Sequence, residues 1–221
     1  MARVNAMDDL QKKLYSYIVG NIEKEIFQDL EAQILIKYGV TENFLEENLK
    51  LSPKPRLRSQ MRRYLIDEAF TAVNGQINYT IPKGEHYVSI ETNNIIVTHI
   101  EVNNSGAKVR DAAHRKLLSM GNKALEPLQF DFFDSKQLEL EQKLHIVVMI
   151  VHPKIKDEQQ SSPQEILVAV PFSNWKDYHA LLHFNELLEM YNSEEMYESD
   201  LAWPTLKVAL EQFENKTSNG E

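Results

Sequence analysis

Two segments concentrate positive charge in a chain of 221 residues whose formal net charge is −9. Lys54, Arg56, Arg58, Arg62 and Arg63 gather on one predicted helix; Lys108, Arg110, Arg115, Lys116 and Lys123 gather on another. Asp67, Glu68 and Asp111 are the acids within them. A guanidinium fork offers a phosphate two parallel N–H donors, and exposed amides at a helix start add more, so this pattern suits nucleic-acid phosphate. The competing expectation is that each patch pairs with the acidic terminal helices of the same chain.

Three further groupings could carry chemistry. His179 and His183 stand four residues apart with Glu186 three further on. On one helix they would share a face and offer zinc or manganese two imidazoles and a carboxylate. Ala180 occupies the position where a metalloprotease needs glutamate, which excludes that motif and leaves an ordinary polar face as the plainer expectation. His86, His99 and Glu101 would share one sheet face if Asn93-Asn94 form a tight turn that sets Val88 opposite His99 and His86 opposite Glu101. A carboxylate beside an imidazole can orient it as a base, although sheet histidines are more often simply hydrogen-bonded. Asp131, then Glu141 and Lys143, follow the acid, Glu-x-Lys order of metal-dependent nucleases of the restriction-enzyme type. There carboxylates hold Mg²⁺ and lysine orients the attacking water, whereas here the spacing is short and also reads as a plain alternating strand. No metal and no cofactor is predicted.

Other chemistries lack their residues. Without cysteine there are no disulfides, thiolate metal sites or cysteine nucleophiles. No Walker loop, paired-glycine dinucleotide fingerprint or Gly-x-Ser-x-Gly elbow occurs. Early acids, Asp8 and Asp9, and the lack of an apolar run near the ~20 residues of a membrane helix predict a soluble protein without a secretory signal. A cytoplasmic home and a prokaryotic or phage type of protein are expected from composition.

The elements that must position these groups are legible from periodicity. Leu10, Leu14, Ile18, Ile22, Ile26, Leu30 and Ile34 recur at steps of four, predicting two helices hinged at Gly20-Asn21, with Gly39 as a stop and Thr41 capping a short helix beyond it. A helix from about Leu57 to Val73 ends at Gly75. The period then becomes alternating: strands around Ile77–Ile81, His86–Glu91 and Ile95–Val102 predict an antiparallel meander. A helix from Lys108 to Met120 stops at Gly121, and Leu128–Phe132 and Leu138–Leu140 alternate again. The Val- and Ile-rich runs His145–Pro153 and Glu165–Phe172 are too unbroken for half-exposed strands and read as a central hairpin with a long polar tip. Helices from about Asn174 to Tyr191 and from Trp203 to Phe213 close the chain.

The fold class expected is α+β: a mainly antiparallel sheet of about five to six strands, roughly residues 76–172, covered by N-terminal and C-terminal helices. Residues 1–75 form a helical segment and 76–221 the sheet core with its C-terminal helices, in one or two domains. The function expected is non-enzymatic intracellular binding or regulation, contacting nucleic-acid phosphates through the basic helices. The alternatives are a metal-dependent nuclease or phosphodiesterase, and an adaptor whose acidic helices bind another protein. A convergent pocket would favour the enzyme, a continuous basic surface the nucleic-acid binder, and an exposed apolar helix face the adaptor.

Overall fold

Alternating and continuous apolar runs give six strands that hydrogen-bond in chain order into one sheet. The computed structural model describes residues 9–50, 54–79, 86–104, 112–126, 143–154 and 159–192. Its elements are α1 (Asp9–Asn21), α2 (Lys24–Asn48), α3 (Lys54–Ala72), β1 (Gln76–Tyr79), β2 (His86–Glu91) and β3 (Ile95–Val102), then α4 (Ala113–Ser119), β4 (Leu144–Val151), β5 (Glu165–Pro171), β6 (Tyr178–His183) and α5 (Phe184–Met190). The class is α+β, with a six-stranded, mostly antiparallel sheet flanked by N- and C-terminal helices.

The turn at Asn93-Asn94 sets Ile90 opposite Val97 and Glu91 opposite Ile96, the register its turn chemistry predicts. β4 and β5 pair antiparallel, as two apolar runs joined by a polar tip should. β3 and β4 pair in parallel over their whole length, Ile95 with Leu144 through Val102 with Val151. Both faces of β4 are buried, which explains why it has no polar alternation. On one face Ile95, Val97, Val148, Ile150 and Val168 pack beneath Leu14, Phe27, Leu30, Ile34, Ile66, Phe70 and Phe184 from α1, α2, α3 and α5. On the other, Ile100, Val147, Met149 and Leu167 form a smaller core with Trp175 and Tyr178.

Several boundaries depart from the sequence pattern, each for a local reason. α2 runs through Gly39 to Asn48, because tertiary burial of Ile34, Tyr38, Thr41 and Leu45 outweighs the roughly 1 kcal/mol a mid-helix glycine costs. Thr41 is not a cap: its hydroxyl donates to the Lys37 carbonyl one turn back. At the end of α3 the left-handed residue is Asn74, at φ 63°, and Gly75 is needed instead for close approach, since a Cβ there would overlap the Phe70 carbonyl and the Val88 side chain. Gly121 does not stop a helix either. A 3₁₀ segment, Met120–Leu125, continues through it, and a Cβ on Gly121 would overlap the Lys143 carbonyl.

The largest correction lies after Ser173. The stretch expected as one helix from about Asn174 to Tyr191 is strand β6 followed by the short helix α5. β5 offers β6 a ladder from Leu167↔His183 to Val170↔Ala180, and sheet pairing wins over the helical spacing of the histidines. The strands expected at Leu128–Phe132 and Leu138–Leu140 and the helix at Trp203–Phe213 lie outside the described residues.

Candidate functional site

Where α2 and α3 cross the sheet, imidazoles and carboxylates alternate. β3 directs its odd-numbered residues to the helix-covered face, so His99 and Glu101 lie there beneath α3. Asp67 of α3 receives two imidazoles: His99 Nε2 is 2.8 Å from its Oδ1, and His86 Nε2 is 3.3 Å from its Oδ2. His99 Nδ1 makes no hydrogen bond and faces Glu101 Oε1 at 3.8 Å. Glu101 Oε2 is 3.6 Å from His152 Nε2, and His152 Nδ1 is 2.6 Å from the Tyr38 hydroxyl. The Tyr38 ring carries the Arg62 guanidinium at 4.4 Å, a cation–π contact in a buried setting.

This line of side chains joins α2 and α3 to β2, β3 and the residue that follows β4. Burial raises the Tyr38 hydroxyl well above the ordinary phenol range, so Tyr38 stays protonated and can only share or donate its proton to His152. Apart from the half-exposed His86, its side chains are largely covered. The open cleft between the α1–α2 joint and the β2–β3 turn, lined by Asn21, Glu23, Lys24, Asn93, Asn94 and Tyr191, contains none of these residues. The alternating chain therefore acts as a polar weld between layers. Sequence spacing brought His86, His99 and Glu101 to one face but missed Asp67, His152 and Tyr38. The sharing of Asp67 depends on how α3 lies across the sheet, which no local pattern encodes.

A second polar knot lies on the opposite face. His145 of β4 is fully buried, with Nε2 2.9 Å from Thr98 Oγ1 and Nδ1 2.8 Å from Ser119 Oγ. Burial, with the positive charge of His114 and Arg115 nearby, pushes its pKa down to about 3. A neutral ring donating from one nitrogen and accepting on the other satisfies both hydroxyls. Asn122 completes the knot: its amide donates to the carbonyls of His145 and Pro171 and accepts from His145 N, each at 2.8 Å. A serine beside a histidine resembles a nucleophile and base, but both are sealed inside the core.

α3 and α4, which hold described residues of the two basic segments, lie on opposite sides of the sheet. α3 packs Ile66 and Phe70 into the larger core, whereas α4 stacks His114 on Tyr87 and places Ser119 against His145 on the other side of the sheet. Within α3, Arg58 forms a bidentate pair with Glu42, Nε to Oε2 at 2.7 Å and Nη2 to Oε1 at 2.8 Å. That pair holds the Glu42 carboxyl below its usual range. Arg62 is buried and donates to the Gln160 backbone carbonyl, anchoring the segment after β4. Arg56 and Arg63 are exposed and Lys54 is half-buried; Arg115 is half-buried and Lys116 exposed on α4; Lys108 and Arg110 lie outside the described residues.

The remaining candidate sets are dispersed. In β6, His179 and His183 are four strand residues apart, roughly 13 Å, too far to share one metal. His179 is buried against the Phe172 ring at 4.0 Å, and its pKa is pushed down to about 4 by burial. His183 instead caps α5 in a capping box with Glu186, whose carboxylate accepts from His183 N at 3.3 Å. Among the described residues no group of three or more His, Asp or Glu is arranged to hold a metal ion. Asp131 and Glu141 lie outside the described residues, and Lys143 pairs with Glu91 at 3.3 Å.

The outward face of α2 is apolar where solvent meets it. Ile36, Val40 and Phe44 follow at steps of four and are 53%, 45% and 44% exposed, while Ile34, Tyr38, Thr41 and Leu45 bury the opposite face. Asp29 lies two turns before Ile36 and Glu47 two turns after Val40, close to the same line along the helix and exposed. The inner face of this helix fills the core, and its outer face carries an exposed apolar strip bracketed by acids. Among the described residues no helix is long and apolar enough to cross a membrane. Comparison with protein-family models, curated proteins and solved structures finds no match to this chain.

Proposed function

We propose that this chain is a non-enzymatic binding protein that docks on another protein through the outer face of α2. The observation that carries this reading is the exposed line Ile36, Val40 and Phe44 between Asp29 and Glu47. The partner chemistry follows from charge. A chain of net charge −9 with an acid at each end of an apolar strip is complementary to an amphipathic helix whose apolar side is flanked by Lys or Arg. A nucleic-acid role rests on less: Arg58 and Arg62 are engaged within the chain, and Arg56 and Arg63 of α3 are exposed. A cytoplasmic setting is compatible with the absence of cysteine.

The test uses a labelled synthetic peptide with leucines at helical spacing and lysines on either flank, followed by fluorescence anisotropy. Val40→Asp should weaken binding about tenfold or more, since a buried carboxylate without a partner opposes docking. A peptide of the same composition in scrambled order should bind poorly to the unaltered protein. Equal binding of both peptides, or indifference to Val40→Asp, would overturn the reading. Salt-sensitive binding of DNA or RNA that Arg56→Ala/Arg63→Ala abolishes would replace it with the nucleic-acid one.

A further inference from the structure

The last described residues are pinned to the start of α2, the helix whose outer face carries Ile36, Val40 and Phe44. The Tyr191 hydroxyl donates to the Ile22 carbonyl at 2.7 Å, and Lys24 Nζ donates to Asn192 Oδ1 at 2.6 Å. Residues 193–221 therefore set out from the N-terminal end of that helix. Their sequence contains an apolar stripe of matching length. Trp203, Leu206, Leu210 and Phe213 recur at steps of three and four, one face of a helix over residues 203–213, and Pro204 suits its first turn. Gln212 falls on the opposite side of that helix.

We propose that residues 203–213 fold back along the outer face of α2 and cover its apolar strip, so that the chain's own C-terminal segment competes with the partner helix. The competition rests on the docking function proposed above; the fold-back itself does not. Reach sets the direction. Ten residues, 193–202, lie between the exit and the segment and span at most roughly 33 Å. Along the helix axis Ile36 is about 18 Å from Lys24 and Phe44 about 30 Å. Entry beside Ile36 is well within the tether, whereas entry beside Phe44 uses nearly all of it before the chain has passed round the helix, so the segment runs parallel to α2. With Phe213 beside Phe44, Leu210 falls beside Val40 and Leu206 beside Ile36, each within one residue. Charge agrees at the far end, for Lys216 stands three residues beyond Phe213 as the exposed Glu47 stands three beyond Phe44. A short tether holds the segment at an effective concentration on the order of millimolar, which offsets a weak contact. At the near end the tether brings only acids, Glu194, Glu195, Glu198 and Asp200, towards Asp29. A partner with basic residues on both flanks gains there what the segment lacks, and displaces it.

The chain has no native cysteine, so the contact can be read with two introduced ones in the intact chain. Under mild oxidation at low protein concentration, Val40→Cys/Leu210→Cys should form an intramolecular disulfide in most molecules. Val40→Cys/Gln212→Cys, with an equal tether but its second thiol on the outer side of the segment, should form several-fold less. Leu206→Asp/Leu210→Asp should raise the affinity for the leucine- and lysine-bearing peptide about tenfold, because it removes the competing cover. The two readings fail separately. The disulfide is measured without peptide, so equal linking through residues 210 and 212, or none through either, would overturn the fold-back even where the peptide binds. A peptide that binds the unaltered chain and the Leu206→Asp/Leu210→Asp variant equally would overturn the competition. A peptide that binds neither would sink α2 as a docking surface, with the fold-back still decided by the disulfide.

Discussion

Asp67 and His99 meet at 2.8 Å across the boundary between α3 and β3, and the same carboxylate reaches His86 at 3.3 Å with its other oxygen. One side chain thereby ties the helix layer to two adjacent strands. Removing it leaves two imidazoles without their acceptor, one of them under cover. Asp67→Ala should destabilise the fold by about 1–3 kcal/mol, and the double-mutant cycle with His99→Ala should show a coupling on the order of 1 kcal/mol. Urea denaturation of the four proteins measures both, and strictly additive losses would show that the contact contributes no coupling.

Acid should unfold the protein partly through its buried histidines. His145 is held at about 3 and His179 at about 4, whereas an unfolded histidine titrates near ~6.5. Between those values the unfolded chain binds protons that the folded chain does not, so both contributions are complete above about pH 6.5 and are lost as pH falls towards 3 to 4. Each such histidine contributes a slope of up to about 1.4 kcal/mol per pH unit. His145→Gln should be less stable at neutral pH yet lose stability more gently on acidification. Denaturation midpoints measured at steps between about pH 7 and 4.5 would reveal a parallel dependence if His145 took no part.

The Arg58–Glu42 pair is shielded and bidentate, which separates it from surface ion pairs of little consequence. Arg58→Ala should cost about 1–3 kcal/mol and should remove the part of the acid sensitivity that Glu42 supplies. The sign follows from its lowered pKa: stability is present above the unfolded carboxyl value and lost as pH falls through the folded one. Thermal melts of Arg58→Ala and Arg62→Ala at two pH values check this. Unchanged melting would mean that these arginines are available for other partners.

Ile150 sits in the middle of β4 with both neighbours paired and no exposed surface. Ile150→Ala should lower stability by about 2–5 kcal/mol, the range for a branched aliphatic whose cavity cannot collapse. A loss below about 1 kcal/mol in equilibrium denaturation would be incompatible with the central place of this strand.

Much of this architecture was legible because it is written at the scale of a single element. The change of period at Gly75, the turn residues Asn93 and Asn94, and the unbroken run Leu144–Val151 each dictate their local outcome. What escaped was decided between elements. The stretch Tyr178–His183 has four-residue spacing compatible with either a helix or a strand, and the free edge of β5 resolves it. Gly39 and Gly121 look like stops until the packing of α2 and the approach of Lys143 give them other reasons. The histidine–carboxylate chain was half visible: β3 and β2 supply His86, His99 and Glu101 by alternation, while Asp67 and Tyr38 enter from helices whose placement only the folded core defines.

The parallel pairing of β3 with β4 has a kinetic consequence. β1–β3 and β4–β6 are each consecutive antiparallel strands, able to form from near neighbours, whereas the eight paired positions between them require the long crossover from Val102 to Leu144 to close first. Closing a loop of about 40 residues carries an entropic cost on the order of 3 kcal/mol before any contact across it is made. The two halves should therefore assemble separately and zip together late. Truncations at Val97 or Val148, on facing sides of that seam, should speed unfolding far more than they slow folding, with φ-values near zero. High φ-values there would mean instead that the seam is the nucleus on which both halves grow.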